Sequence, residues 1–388
     1  MKIIKKSIEI NGKTLTLEFG RFAEQASAAV LVQYGDTMVL CTVTASSKET
    51  TLDYFPLSVE YVERLYAGGR IKGSRWVKRE GRPSDDAVLA GRVIDRSIRP
   101  LFPKSYKHDV QVVVTVLSVD GANDPDVLGL IGTSAAIAIS PIPWNGPISA
   151  VRIGYVKTPD GQPPGALLAN PTATEQLTSE FDFIVASTRD KVIMLEGGFC
   201  ESPEDVVLQA VMEAKKVNVM IIDLIESLVK EVGKPKIILP ETADADTLKD
   251  KITKDYKKDM EAAFSKKAEK EFGGDELEVL AKKIAEEYSN EHTIKEIMSA
   301  LDWLFKKRVR ENVITKNQRF DGRKLDEVRP IEMEVGILPR THGSAMFRRG
   351  QTQALTVATL GTPSLEQLIE SPVGEESKRY IHHYSMPP

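Results

Sequence analysis

The sequence predicts an α+β layered domain over residues 1–235, an all-helical domain over 236–318, and the beginning of a second layered domain over 319–388. Three observations predict it. Runs of β pattern, several in hairpin order, are interspersed with helical runs in the first region, which favours layered α+β packing over a doubly wound parallel sheet. From Pro240 to Lys316 the composition shifts to Ala, Glu, Lys and Leu at helical spacing, with few glycines. After "FDGRKLDEVRP" the β pattern returns and repeats the start of the chain.

The elements follow in order. "TLTLEFG" alternates apolar and polar side chains, and "AAVLVQYGDTMVLCTVT" gives two strand-like runs hinged at Gly35 and Asp36, the pattern of a hairpin. "PSDDAVLAGRVIDRSIRPLFP" reads as a helix. Ser84 is its candidate N-cap, Asp85 and Asp86 complement the positive end of the helix dipole, and Pro100 stops it. Leu89, Val93 and Leu101 mark its expected buried stripe. "DVQVVVTVLSVDG" is a strand, "DVLGLIGTSAAIAI" a largely buried helix, and "ISAVRIGYV", "FDFIVAST" and "KVIMLEGG" are further strands. A long amphipathic helix follows Pro203 and runs to about Gly233. In the helical region, "LKDKITKDYKKDMEAAFSKKAEKEF" and "ELEVLAKKIAEEYSNEHTIKEIMSALDWLFKKRVREN" alternate charges as solvated faces do. Pairs at this spacing contribute only about 0.2–0.5 kcal/mol each.

The returning β pattern lies over the first. Leu15 to Ser47 matches the stretch from Ile331 to Ser364 with one single-residue gap: Gly20 meets Gly336, Gly35 meets Gly350, Thr37 meets Thr352, Leu40 meets Leu355 and Thr44 meets Thr359. A duplicated domain is the preferred reading, and on it the second copy is only begun when the chain stops.

Bulk properties narrow the function. A formal net charge of −4 argues against global attraction to nucleic acid or membrane, so a polyanion site has to be a local concentration of charge. Cys41 and Cys200 suggest neither a disulfide framework nor a zinc site, and His108, His292, His342, His382 and His383 lack metal-ligand spacing. No stretch has signal-peptide or membrane-spanning character, so the expected setting is cytoplasmic.

The local concentration of charge is "GGRIKGSRWVKREGRP", Gly68 to Pro83. Arg70, Lys72, Arg75, Lys78, Arg79 and Arg82 face one acid, Glu80, with Trp76 among them. Single-stranded nucleic acid is held by cations along the phosphates and by flat side chains on which bases stack, and Trp76 beside Lys78 and Arg79 offers both. Glycines at 68, 69, 73 and 81 let such a loop approach a backbone closely. On the helix behind it, Arg92, Arg96 and Arg99 recur at steps of four and three, share one face, and can extend the phosphate track. The alternative is a solvated basic loop whose arginines pair with Glu80, Asp85 and Asp95.

"YAGGRIKGSRWVKREGRPSDDAVLAGRVIDRSIRPLFP", followed later by "THGSAMFRRGQTQAL", resembles the polynucleotide phosphorylases, phosphate-dependent 3′-to-5′ exoribonucleases. The likeness spans essentially the whole chain in the family's order. It implies an RNase PH-like (ribosomal protein S5 domain 2-like) first domain, a helical domain, and the start of a second RNase PH-like domain. It further implies a homotrimeric ring acting on single-stranded RNA, with Mg2+ as cofactor, inorganic phosphate as co-substrate, and room for partners in RNA-degradation assemblies. In such a ring the segment matching Trp76 to Arg79 lines the RNA constriction. The family's usual pair of phenylalanines and pair of arginines is here "RWVKR", so one stacking ring is kept and Lys78 supplies a point charge in place of a planar fork.

Phosphorolysis needs a phosphate pocket, cations for the transition-state charge, and carboxylates holding a divalent metal. The resemblance puts this equipment in the second RNase PH-like domain, past Pro388. In the first copy "TATEQLTSEFDFIVAST" resembles the aspartate and lysine strand of the active copy, but only Asp182 matches an aspartate; Gln176 and Ile184 replace the other aspartate and the lysine. The serine-rich loop has the apolar counterpart "DVLGLIGTSAA". The expectation is therefore that Asp182 is an isolated strand-edge carboxylate, that this chain holds neither catalytic residues nor metal ligands, and that it guides RNA and builds the ring. The rival reading is a non-catalytic ring subunit that threads RNA to a separate nuclease.

Overall fold

The computed structural model describes residues 3–386 apart from 51, 53, 72, 74–80, 158–164, 240–242, 270–274 and 289–291. By its internal packing the chain divides into one unit of Met1–Leu239 with Glu366–Pro388 and another of Pro240–Leu365.

The first unit holds two large sheets. One contains β1 (Ile4–Ile10), β2 (Lys13–Phe19), β3 (Ala28–Tyr34), β4 (Thr37–Glu49), β5 (Leu57–Val62) and β6 (His108–Ser118) in the order β1-β2-β3-β4-β6-β5. All its neighbours are antiparallel except β5 and β6, which run parallel. The expected hairpin is β3–β4, turned at Gly35 with φ 61°. Strands β1 and β5 go beyond the sequence reading. β1 pairs with β2 through Asn11 and Gly12, whose φ values of 51° and 75° make the left-handed turn that suits a tight hairpin. The second sheet contains β7 (Ser149–Val156), β8 (Ala166–Ala169), β9 (Phe181–Ser187) and β10 (Val192–Phe199), antiparallel in the order β10-β9-β7-β8.

The α-helices described in this unit are α1 (Asp85–Ile98), α2 (Pro125–Ile139), the single turn α3 (Ala173–Gln176) and α4 (Glu204–Val232). α2 packs on β3, β4 and β6 of the first sheet, on β7 of the second, and on α4, so every residue from Val127 to Ile139 is buried. Such close approach needs small residues on the helix. A Cβ on Gly132 would lie 2.5 Å from Cys41 Sγ and 2.6 Å from Val32 Cγ2. α1 meets β5 through Ala87, Gly91, Ile94 and Ile98, spaced at four, three and four. This corrects the expected stripe. Val93 and Leu101 are half-buried against the core, but Leu89 is 56% exposed, because it sits two residues from Ala87 and so on the far side of the helix.

The second unit opens with α5 (Ala243–Asp255), α6 (Lys257–Glu269), α7 (Glu276–Glu287) and α8 (Ile294–Lys316), packed around Ile252, Leu280, Ile284, Ile297 and Leu301. α8 begins with a reciprocal cap in which Thr293 Oγ1 accepts from the Glu296 amide and Glu296 accepts from the Thr293 amide. The sheet that follows, β11 (Ile331–Val335), β12 (Gly343–Arg349) and β13 (Thr352–Ala358), repeats β2-β3-β4 pair for pair. Leu15 faces Tyr34 where Ile331 faces Arg349, and Ala28 faces Val43 where Gly343 faces Ala358. Leu15 to Ile331 is a step of 316 and Ala28 to Gly343 a step of 315, so the one-residue gap falls in the β2–β3 connection. The turn glycines agree as well: Gly20 and Gly336 have φ of 92° and 72°, and Gly35 and Gly350 both have 61°. A last hairpin, β14 (Gln367–Glu370) with β15 (Glu375–Lys378), packs with the first unit.

The tight seat of α2 gives a stability prediction. Gly132→Ala is expected to lower stability by about 1–3 kcal/mol through overpacking, read as a shifted urea midpoint. Gly198→Ala, whose added Cβ meets nothing within 4 Å, should leave that midpoint nearly unchanged.

Candidate nucleic-acid interface

The basic loop joins the end of β5 to the start of α1 in the chain, and both feet are tied down. At the first, a single 3-10 turn over Leu65–Gly68 closes with Gly69 in the left-handed region at φ 68°, its amide donating to Tyr66 O at 2.9 Å. The Val119 amide, just past β6, donates to Ala67 O in this turn at 3.0 Å. At the second foot, Ser84 caps α1 by accepting from the Ala87 amide at 3.0 Å while its hydroxyl donates to Glu63 Oε2 at 2.9 Å. Burial pushes the Glu63 carboxyl up and the Ser84 hydroxyl pulls against it. One side chain thus anchors both the helix start and the strand end from which the loop springs.

A cleft of about 530 Å³ lies between these feet and the β14–β15 hairpin. Its walls mix signs: Arg64, Arg82 and Lys378 alternate with Glu63, Asp86 and Glu376. The Gly73 amide donates to Glu370 Oε1 at 2.7 Å. A Cβ on Gly68 would fall 1.8 Å from Pro372 O, so no other residue type fits there without moving the hairpin.

Trp76, Lys78 and Arg79 lie outside the described residues, as do Lys72, Arg75 and Glu80. The remaining candidate cations differ in how far they are committed. Arg82 and Arg92 are exposed and have no ion-pair partner among the described residues. Arg96 Nη1 lies 3.1 Å from Glu196 on β10, a pair about half exposed at both ends and so weakly held. Arg99 is fully engaged: Nε and Nη2 donate to Asp95 at 2.8 and 2.6 Å, and Nη1 and Nη2 donate to the carbonyls of Phe55 and Leu57 at 3.2 and 3.0 Å. It fastens α1 to the start of β5.

The segment matched to an active copy has a different construction from the one expected. Asp182 is not isolated. Arg152 on β7 reaches it with Nη1, reaches Asp126 with Nη2 at 2.6 Å, and holds Nε 3.0 Å from Asp124, an ion-pair distance whose angle makes no hydrogen bond. Gln176 Nε2 donates to Asp124 Oδ2 at 2.7 Å. Three carboxylates therefore converge on a guanidinium that is only 11% exposed. Burial works against the charge of Arg152, but Asp126, Asp124 and Asp182 outweigh it and hold the guanidinium firmly protonated. Burial pushes Asp126 up, with Arg152 pulling the other way. Ile184, opposite Arg152 in the β7–β9 register, is buried. In "DVLGLIGTSAA" the Thr133 and Ser134 side chains are wholly buried, and Ser134 Oγ accepts from the Ile148 amide at 3.0 Å. Among the described residues no group of three or more His, Cys, Asp or Glu is arranged to hold a metal ion. The sequence reading missed Arg152, Asp124 and Asp126. Their signal was one arginine inside the otherwise apolar "SAVRIGYV".

Removing the central cation tests this cluster. Arg152→Ala is expected to destabilise the fold at neutral pH by about 3 kcal/mol, chiefly because it strands Asp126, the least exposed of the three carboxylates. Burial raises the Asp126 carboxyl, and a carboxyl raised in the folded state weakens the fold when ionised, so the deficit should narrow as pH falls from neutral into the acid range. Urea denaturation across that range checks it, and a deficit independent of pH would rule out the electrostatic account.

Comparison with known proteins agrees with this architecture. A family model described as "3' exoribonuclease family, domain 1" matches residues 11–143 and again 327–388, the two places where the duplicated sheet occurs. "3' exoribonuclease family, domain 2" matches 146–217, and "Polyribonucleotide nucleotidyltransferase, RNA binding domain" matches 247–324. The polyribonucleotide nucleotidyltransferase of Caldicellulosiruptor saccharolyticus is 46% identical over 98% of this chain and 54% of its own length. Those of Chloroflexus aurantiacus and Thermomicrobium roseum are each 45% identical over 100% of this chain and 51% and 49% of theirs. The chain spans about half the length of the curated relatives it matches. Among the described residues no helix is long and apolar enough to cross a membrane. With both halves of the exoribonuclease domain, the helical domain and the restarted first half matched in one order, the chain belongs to the polyribonucleotide nucleotidyltransferase family.

Proposed function

We propose that this chain is the RNA-guiding, ring-building portion of a phosphate-dependent 3′-to-5′ exoribonuclease that degrades mRNA to nucleoside diphosphates in the cytoplasm. It is organised as a first RNase PH-like domain (1–235), a helical domain (236–318) and the N-terminal part of a second RNase PH-like domain (319–388). The observation that carries the reading is the basic loop from Arg70 to Arg82. It is anchored at both feet, its sequence carries Trp76, Lys78 and Arg79, and the exposed Arg82 and Arg92 have no ion-pair partner among the described residues. Cations that are already paired give little to a polyanion, so Arg82 and Arg92 extend the phosphate track first. Arg96 joins by exchanging a weak surface pair, and Arg99 positions the helix. In a homotrimer three such loops converge on one strand of RNA.

Among the described residues no cluster of carboxylates is arranged to hold Mg2+. The space among Asp124, Asp126 and Asp182 is filled by the Arg152 guanidinium, which leaves no room there for a second cation. Metal ligands and the pocket for inorganic phosphate belong, on this reading, to the part of the family's length that this chain does not span. The filled cluster also keeps alive a second reading, a ring subunit that only threads RNA to a separate nuclease.

Two measurements test the proposal. In the assembled full-length ring, replacing Lys78 and Arg79 by alanine should weaken binding about equally for different homopolymers. It should also lower the slope of log K against log salt by roughly 0.7 for each phosphate left without its cation. Trp76→Ala should cost about 1–3 kcal/mol with the slope nearly intact, since stacking releases no counterions. Unchanged affinity and slope in the double variant would make the loop a solvated turn. Separately, the 388-residue chain given oligoadenylate, magnesium and phosphate should release no nucleoside diphosphate. Release above a mock preparation would refute the division of labour.

A further inference from the structure

The helical part of the second unit contains a cleft of about 330 Å³ that the loop-centred reading leaves unused. Phe305, Arg308 and Asn312 line it from α8, at steps of three and four and hence from one face. Glu261 and Phe264 line it from α6, and Phe320 from the segment after α8. The rings form a continuous wall: Phe264 and Phe305 have centroids 5.1 Å apart, and Phe305 and Phe320 meet edge to face at 6.5 Å. Phe264 and Phe305 are joined to the helical core, while Phe320 remains 43% exposed.

The polar groups at the cleft are uncommitted. Neighbouring helix charges pair, as Lys282 does with Glu278, Lys283 with Asp259 and Lys306 with Asp302. The side chains of Glu261, Arg308 and Asn312 have no hydrogen-bond or ion-pair partner among the described residues. A carboxylate and a guanidinium that line one cleft without meeting leave room for a group between them. The volume is at the lower end of the roughly 300–1,000 Å³ of small-molecule sites, the size for one nucleotide.

We propose that this cleft binds one nucleotide of an RNA strand and selects a base with an exocyclic amine. The base stacks on the Phe305–Phe320 wall, its amine donates to Glu261, the Asn312 amide pairs with the adjoining ring edge, and Arg308 takes the phosphate. A base presenting a carbonyl at that position, such as uracil, sets an acceptor against the Glu261 carboxylate and is disfavoured. The assignment rests on the RNA-guiding reading only for the identity of the strand.

Calorimetric titration of the 388-residue chain with 5′-AMP and 5′-UMP tests it, with far-UV circular dichroism confirming retained helix. AMP should bind more tightly than UMP. Phe320→Ala and the bulk-preserving Phe320→Leu should each weaken AMP by about tenfold. Glu261→Gln should erase the preference over UMP, and Arg308→Gln should erase the advantage of AMP over adenosine. Short oligoadenylate should displace bound AMP. Absence of AMP binding, AMP affinity unchanged in both Phe320 variants, or failure of oligoadenylate to displace AMP would each overturn the proposal. Replacing Lys78 and Arg79 by alanine should weaken oligoadenylate and leave the AMP titration unaltered, so a failure of the loop and a failure of the cleft are read separately.

Discussion

Helix α2 has no side that faces solvent, and the first unit is built to meet that demand. Thirteen successive residues from Val127 to Ile139 are buried, so both sheets and α4 must each present it an apolar face, and its polar ends need partners inside the protein. At the C-terminal end Lys236 Nζ donates to the carbonyls of Ile137 and Ser140 at 2.7 and 2.8 Å, and the Lys234 amide donates to Ile139 O at 2.9 Å. Burial pulls the Lys236 amine down to about 8. At the N-terminal end Asp124 and Asp126 supply the negative charge that the helix dipole favours, and Arg152 balances them. The helix is thereby pinned by opposite charges at its two ends.

That demand accounts for the character of the neighbouring cluster. A helix serving as core cannot also offer hydroxyls to a ligand, and Thr133 and Ser134 are accordingly sealed inside. The three aspartates at the helix start and on β9 are likewise spent on an internal cation. Charge that would attract a metal ion elsewhere works here to hold β7, β9 and α2 in register. The basic loop is built on the opposite plan. Its feet are fixed by a cap, a 3-10 turn and Arg99, while Arg82 and Arg92 pair with no acid among the described residues.

The two copies of the β2-β3-β4 sheet show how little of a domain its strands determine alone. Their registers agree pair for pair, yet Leu17 in the first copy is wholly buried, whereas its counterpart Met333 in the second is 74% exposed. Strand pairing follows from turn glycines and alternation. Burial depends on whether a helix such as α2 lies on the sheet, and among the described residues none packs on the second copy as α2 packs on the first.

The sequence by itself determined the α+β class, the α1 cap at Ser84, the long α4, the helical region and the duplication down to its one-residue gap. Each of these rests on local periodicity or on a backbone angle that only certain residues adopt. The Asn11-Gly12 turn that makes β1 a hairpin partner is of the same local kind. Tertiary structure alone decided which charges are free. Arg152 reaches Asp126 and Asp182 across 26 and 30 residues, and Arg96 reaches Glu196 across 100, through strand neighbours that spacing does not reveal. It also gives Arg99, one of the candidate phosphate ligands, bonds to Asp95 and to the carbonyls of Phe55 and Leu57. A charge read along the sequence has only its helical neighbours as partners, whereas in the folded chain its partner is set by which strands and helices the buried core brings together.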